Sequence, residues 1–186
     1  MITIPPAATP PALTLLEAKL HLRVEHAAED ALILALATAA TAAAEHETGR
    51  QLVTQEWQTW LDGWPSADTI ALAQTPVSAV VIKYVDPAGD EQTLSAADYV
   101  LIPGTVPAVI RTSGAWPALS SSAPYPVRIT ATAGYGAAAA VPEPIRAWIK
   151  CVLGALYLNR ESTAAGAVAE LPYIARLLDR YRTWRV

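Results

Sequence analysis

The spacing of apolar positions changes several times along the chain, and each change marks an expected element. Thr14-Leu15-Leu16-Glu17 has the pattern of a capping box, in which the Thr14 hydroxyl accepts from the amide of residue 17 while Glu17 reaches back. It predicts a short helix over 14–22 with Leu16, Leu20 and Leu13 on its apolar side. After a break at 23–26, Leu32, Leu36, Ala39 or Ala40, and Ala43 recur at helical spacing. They predict a longer helix over 28–48, closed by Gly49 as a C-cap glycine. From Gln51 the period drops to two, and a β-rich region is expected over 51–133. Its strands are expected at 51–61, 69–73, 77–85, 92–94, 99–102, 108–112 and 127–133, with Pro, Gly, Asp and Ser between them. The Asp86-Pro87-Ala88-Gly89-Asp90 turn should join two of them in a hairpin. Pro142 and Pro144 then bracket a helix start, and Ile145, Trp148, Ile149, Val152 and Leu156 predict an amphipathic helix over 144–159.

The ends read differently from the middle. Residues 1–12 hold Pro5, Pro6, Pro10 and Pro11 and are expected to form an extended lead-in that packs nothing by itself. Residues 161–186 form an arm: a small-residue linker, Thr163-Ala164-Ala165-Gly166-Ala167, precedes a short helical stripe of Ile174, Leu177, Leu178 and Tyr181. The expected fold class is α+β. An N-terminal helical hairpin and a C-terminal long helix pack together, a β-rich insertion lies between them, and an extended arm follows. This makes one domain over 13–160 flanked by lead-in and arm.

Composition narrows the class. With 186 residues, 53% of them hydrophobic and 16% charged, the chain buries a core and is not intrinsically disordered. No run of eighteen apolar residues occurs, so no membrane span is expected, and Met1-Ile2-Thr3-Ile4 lacks the basic start of a secretory signal. Cys151 is the single cysteine, which rules out an intrachain disulfide.

Charge is uneven. The net value of −4 combines −7 over residues 1–142 with +3 over 143–186. The acidic body is a poor partner for phosphates, whereas the basic C-terminal quarter has the character of a segment that docks on another surface.

Catalytic and ligand signatures fail in turn. His46-Glu47-Thr48-Gly49-Arg50 starts like a zinc-protease helix, but Arg50 stands where the second histidine is needed. His21 and His26 have no third ligand nearby, and Cys151 falls inside a helical pattern without an adjacent base. Gly134-Tyr135-Gly136 lacks the third glycine and the βαβ setting of a dinucleotide site. Asp86, Asp90 and Glu91 lack the alternation of a calcium loop. Trp57 and Trp60 fall on opposite faces of one strand, so the six tryptophans offer no single stacking platform. No cofactor and no catalytic residue are expected. Two other classes stay open: a monomeric nucleic-acid- or carbohydrate-binding module, and a small hydrolase with a site assembled from scattered residues.

Several segments, in order, resemble the head-tail connector (portal adaptor) proteins of tailed bacteriophages and phage-derived particles. They are Leu13-Thr14-Leu15-Leu16-Glu17-Ala18-Lys19-Leu20-His21-Leu22-Arg23-Val24, Glu29-Asp30-Ala31-Leu32-Ile33 and Thr48-Gly49-Arg50-Gln51-Leu52. Further along come Thr75-Pro76-Val77-Ser78-Ala79-Val80, Tyr84-Val85-Asp86-Pro87-Ala88-Gly89 and Thr132-Ala133-Gly134-Tyr135-Gly136, then Val141-Pro142-Glu143-Pro144-Ile145 and Tyr157-Leu158-Asn159-Arg160-Glu161. The alanine-rich second helix and the Pro-rich start depart from the family pattern.

The resemblance implies a structural, non-enzymatic virion protein at the head-tail interface. It would form a homo-oligomeric ring, dodecameric to match the portal, with the portal protein on one side and the next head-closure or tail-completion protein on the other. Double-stranded DNA would pass through the ring without specific binding. A ring needs two different surfaces per subunit, and Ala35, Ala39 and Ala43 on the second helix are expected to supply a subunit contact. Portal docking is expected from Tyr173, Ile174, Arg176, Leu177, Leu178, Arg180, Tyr181, Arg182, Trp184 and Arg185, where aromatic anchors meet a charge of +3 over the last eleven residues.

Overall fold

Thr14 starts the first helix as its side chain dictates. In the computed structural model, which describes residues 1–4, 6, 10–102, 107–159 and 172–183, its Oγ1 accepts from the Glu17 amide at 3.2 Å, and Glu17 Oε2 accepts from the Thr14 amide at 2.9 Å. The helix α1 spans Leu15–Leu22 and stops at Arg23, whose φ of 57° is left-handed. Lys19 holds the break that follows, donating to the His26 carbonyl at 2.8 Å and pairing with Asp30 at 2.6 Å. There α2, Asp30–Thr48, begins, and it ends at Gly49, whose φ of 66° is free of Cβ strain. A third helix, α3, runs Glu143–Leu158 with Pro144 in its first turn.

The architecture mixes helix and sheet, and the chain divides into two compact units: Met1–Ala7 with Thr54–Gly134, and Ala8–Val53 with Tyr135–Val186. The second is helical. Ile145, Ile149 and Leu153 of α3 share one core with Ile33, Ala37, Ala40 and Ala44 of α2. Ala12, Leu13, Ala18 and Leu52 complete it, together with Leu178 from far along the chain.

The buried stripe of α2 differs from the expected one. Ile33, Ala37, Ala40, Thr41, Ala44 and Thr48 face inward, while Leu32 is 37% exposed and Leu36 is half-buried. The reason is that two threonines are buried without penalty. Thr41 and Thr48 donate their hydroxyls to the Ala37 and Ala44 carbonyls at 2.8 and 2.7 Å, and Thr41 Oγ1 also accepts from the Ala12 amide at 3.0 Å. On α1 the phase is likewise turned. Ala18 is buried, whereas Leu16 and Leu20, expected on the apolar side, are each 69% exposed.

The first unit contains a five-stranded antiparallel sheet and a three-stranded one. In chain order the strands are β1 (Ile2–Ile4), β2 (Gln55–Leu61), β3 (Thr69–Leu72), β4 (Val77–Val85), β5 (Glu91–Thr93), β6 (Tyr99–Ile102), β7 (Ala108–Thr112) and β8 (Val127–Ala133). The larger sheet has the order β1-β2-β8-β4-β5 and the smaller β3-β7-β6. Alternation is clean in β8, where Val127, Ile129, Ala131 and Ala133 are buried and the residues between them are not. The core of this unit gathers those side chains with Ile82, Ile110 and Leu72. The expected lead-in is not idle. β1 forms an edge strand, with Ile2 opposite Trp60 and Ile4 opposite Gln58, and Ala12 and Leu13 are fully buried in the helical unit.

Candidate assembly surfaces

Exposure on α2 separates its two sides. Ala35 and Ala39 are exposed and Ala43 is half-buried, and Leu34 is 42% exposed on the same helix. None of the three is among the fully buried residues of the core shared with α3. On the neighbouring α1, Leu16 and Leu20 add apolar surface that the amphipathic reading of the sequence had placed inside. Leu16, Leu20 and Leu34 thus leave exposed apolar surface on the helical unit, and Ala35 and Ala39 leave small exposed side chains on α2.

The C-terminal residues are placed differently from expectation. A short helix α4, Pro172–Arg176, leads into a single 3₁₀ turn at Asp179–Tyr181. Leu178 is fully buried in the helical core and Tyr181 packs against it, so residues 172–183 fold back on their own subunit instead of reaching away. The cause is the stripe itself, which a helix this short stabilises only by burying it, and the helical core supplies the cover. Tyr173 is 63% exposed, and Arg176 and Arg180 are exposed, while Ile174 and Leu177 are half-buried. Arg182 is half-buried and pairs with Glu47 at 3.1 Å and Asp179 at 3.4 Å. Trp184, Arg185 and the linker at 163–167 lie outside the described residues.

The ionisable groups serve structure. Burial pushes the Glu45 carboxyl above its ordinary value, against the pull of hydrogen bonds from the Leu52 amide at 2.9 Å and the Gln51 side chain at 2.5 Å. The backbone hydrogen bond from Thr14 holds Glu17 below its ordinary value, with help from the Thr14 hydroxyl and from Arg146 of α3. Burial also raises the Tyr135 hydroxyl, which hydrogen-bonds to Arg50. Among the described residues no three His, Cys, Asp or Glu side chains gather as a metal site. No described helix is long and apolar enough to cross a membrane.

The tryptophans within the described residues are packing groups. Trp64 and Trp116 stack with centroids 4.5 Å apart and planes at 9°, and their indole N–H groups donate to the Pro117 and Ala67 carbonyls. Trp57 packs on the sheet core and Trp148 on the helical core. Trp60 lies under Arg128, 5.2 Å from the guanidinium. Glu91, considered with Asp86 and Asp90 as a calcium loop, pairs instead with Lys83 and Arg128 at 2.8 and 2.6 Å. Asp86 Oδ1 caps its own turn, accepting from the Ala88 and Asp90 amides.

Comparison with known proteins gives a consistent answer. The family model of the phage gp6-like head-tail connector protein matches residues 12–84. A chain in the neck of an empty gene transfer agent (GTA) particle, computed with C6 symmetry, is 32% identical. The match covers 100% of this chain and 97% of that one, with a TM-score of 0.83. A chain in the virion of a native GTA particle is 30% identical over the same shares, also at 0.83. A chain in the neck of a native GTA particle, computed with C12 symmetry, is 29% identical over those shares, at 0.81. No curated protein matches the chain.

Proposed function

The chain belongs to the phage gp6-like head-tail connector family, and on that premise we propose that it is the ring-forming adaptor of a virion neck. The observation that carries this is end-to-end likeness: the whole chain corresponds to nearly the whole of a neck chain at 32% identity. The family and these neighbours are structural virion proteins. Under this reading the protein sits at the head-tail junction of a phage or gene transfer particle. The portal protein lies on one side, a head-closure or tail-completion protein on the other, and double-stranded DNA passes through the ring.

Twelve subunits fit best. The related necks were computed with C6 and with C12 symmetry, and a twelve-membered ring satisfies both. The subunit contact is assigned to the outward side of α2 at Ala35, Ala39 and Ala43, where the first two side chains are exposed and the third is half-buried. Portal docking is assigned to the outward side of the C-terminal segment, led by Tyr173, Arg176 and Arg180. Leu178 and Tyr181 are engaged in the chain's own core.

The test is co-expression with the portal protein of the same particle, followed by native mass measurement. A complex with twelve copies of this chain per portal ring supports the reading. A chain that stays monomeric beside an assembled portal overturns it.

A further inference from the structure

The segment Glu47-Thr48-Gly49-Arg50, whose last three residues belong to the family resemblance, meets Tyr181-Arg182-Thr183 residue by residue. The last carbonyls of a helix lack partners within it, and here the Thr48 carbonyl accepts from the Thr183 amide at 2.8 Å. Gly49 leaves room for that approach: a Cβ there would lie 2.1 Å from Thr183 Oγ1. Arg50 Nε donates to the Tyr181 carbonyl at 2.6 Å while its guanidinium also bonds the Tyr135 hydroxyl. Glu47 pairs with Arg182 at 3.1 Å. Just upstream, Leu178 is fully buried. Four consecutive residues thus hold three consecutive residues through one backbone bond, one charge-assisted bond, one ion pair and one steric allowance.

We propose that Glu47–Arg50 is a seat for Tyr181–Thr183, with Arg50 as its positioning residue, and that it fixes the C-terminal segment as a rigid ledge of the helical unit. The consequence for docking rests on the connector reading above: Tyr173, Arg176 and Arg180 then meet the portal as part of a preformed surface, with the ordering cost already met during folding. The seat itself does not depend on that reading.

Trypsin tests the seat in the full chain, because Arg176, Arg180 and Arg182 are cleavage sites inside the held segment, and cleavage tracks the fraction of time the segment is open. Arg50→Ala is expected to speed cleavage at these sites about tenfold, as loss of a charge-assisted bond implies, and Arg50→Lys to restore part of the protection. Gly49→Ala should expose the same sites through both the clash with Thr183 Oγ1 and the left-handed backbone strain at position 49, and adding Thr183→Ala should recover the part of the protection lost to the clash. Trimming residue 183 would not rescue a globally misfolded chain. Unchanged cleavage in both Arg50→Ala and Gly49→Ala overturns the seat, as does failure of Thr183→Ala to rescue. Portal capture is measured on the same variants: a fall in Arg50→Ala supports the docking consequence, and faster proteolysis with unchanged capture overturns that consequence alone.

Discussion

Ala39 and Ala40 are adjacent in sequence and lie on opposite sides of the solvent boundary of α2: Ala40 is fully buried, Ala39 exposed. One arginine scan therefore separates folding from assembly. Ala39→Arg should stay within about 0.5 kcal/mol of the parent in denaturant unfolding and fail to form rings by native mass. Ala40→Arg places an unpaired charge in the helical core and should not fold. Rings of normal mass from Ala39→Arg would remove this face from the subunit contact.

Thr14→Ala should destabilise the protein by about 1 kcal/mol, the ordinary cost of losing such a cap. Because the Glu17 carboxyl is held low in the folded state, its contribution is present above its unfolded value and disappears as pH falls through the folded one. The difference between parent and Thr14→Ala, read from urea midpoints, should therefore shrink on acidification below the ordinary glutamate range.

Glu45 has the opposite sign. Its folded carboxyl is raised, so between the unfolded and folded values the folded state binds more protons, and stability declines as pH rises through that window. Glu45→Gln retains an acceptor for the Leu52 amide and removes the buried charge. It should match or exceed the parent in stability at pH 7 and lose that advantage at pH 4, as measured by urea titration at the two values.

Leu178→Ala should cost about 2 to 5 kcal/mol, like Ile149→Ala, since both side chains are fully buried in one core. Arg176→Glu with Arg180→Glu should leave unfolding unchanged and reduce portal capture. If Leu178→Ala leaves stability unchanged, the side chain does not complete the core.

The isolated subunit should bind duplex DNA weakly and without sequence preference, given −7 over residues 1–142. Fluorescence anisotropy at physiological salt is expected to show no saturation in the nanomolar range, and sequence-selective binding there would contradict a passive conduit.

The element pattern was legible because alternation and capping are local. β4 and β8 appear at the expected residues, and α1 and α2 begin within two residues of expectation. The phase of α2 was not, since alanines on nearly every side give the helix little asymmetry, and the deciding residues, Thr41 and Thr48, are polar yet buried by bonding to their own helix. The fate of the C-terminal stripe was also hidden. Ile174, Leu177, Leu178 and Tyr181 declare that they need a cover, and nothing in their spacing says whose surface provides it. The exposed Leu16 and Leu20 read as core in the sequence because a helix of only eight residues does not show which side its neighbours occupy.

The helical core is assembled from two stretches of chain, 12–53 and 141–178, with the whole sequence of β2 to β8 made between them. During synthesis the first two helices leave the ribosome with their inward face uncovered, and they wait through the production of the sheets before α3 and Leu178 arrive. The sheet unit, by contrast, holds all its strands once residue 133 has emerged. Translation order thus makes Leu178 the last of these core residues to be produced, so a chain cut short before it would carry an open core and be marked for clearance.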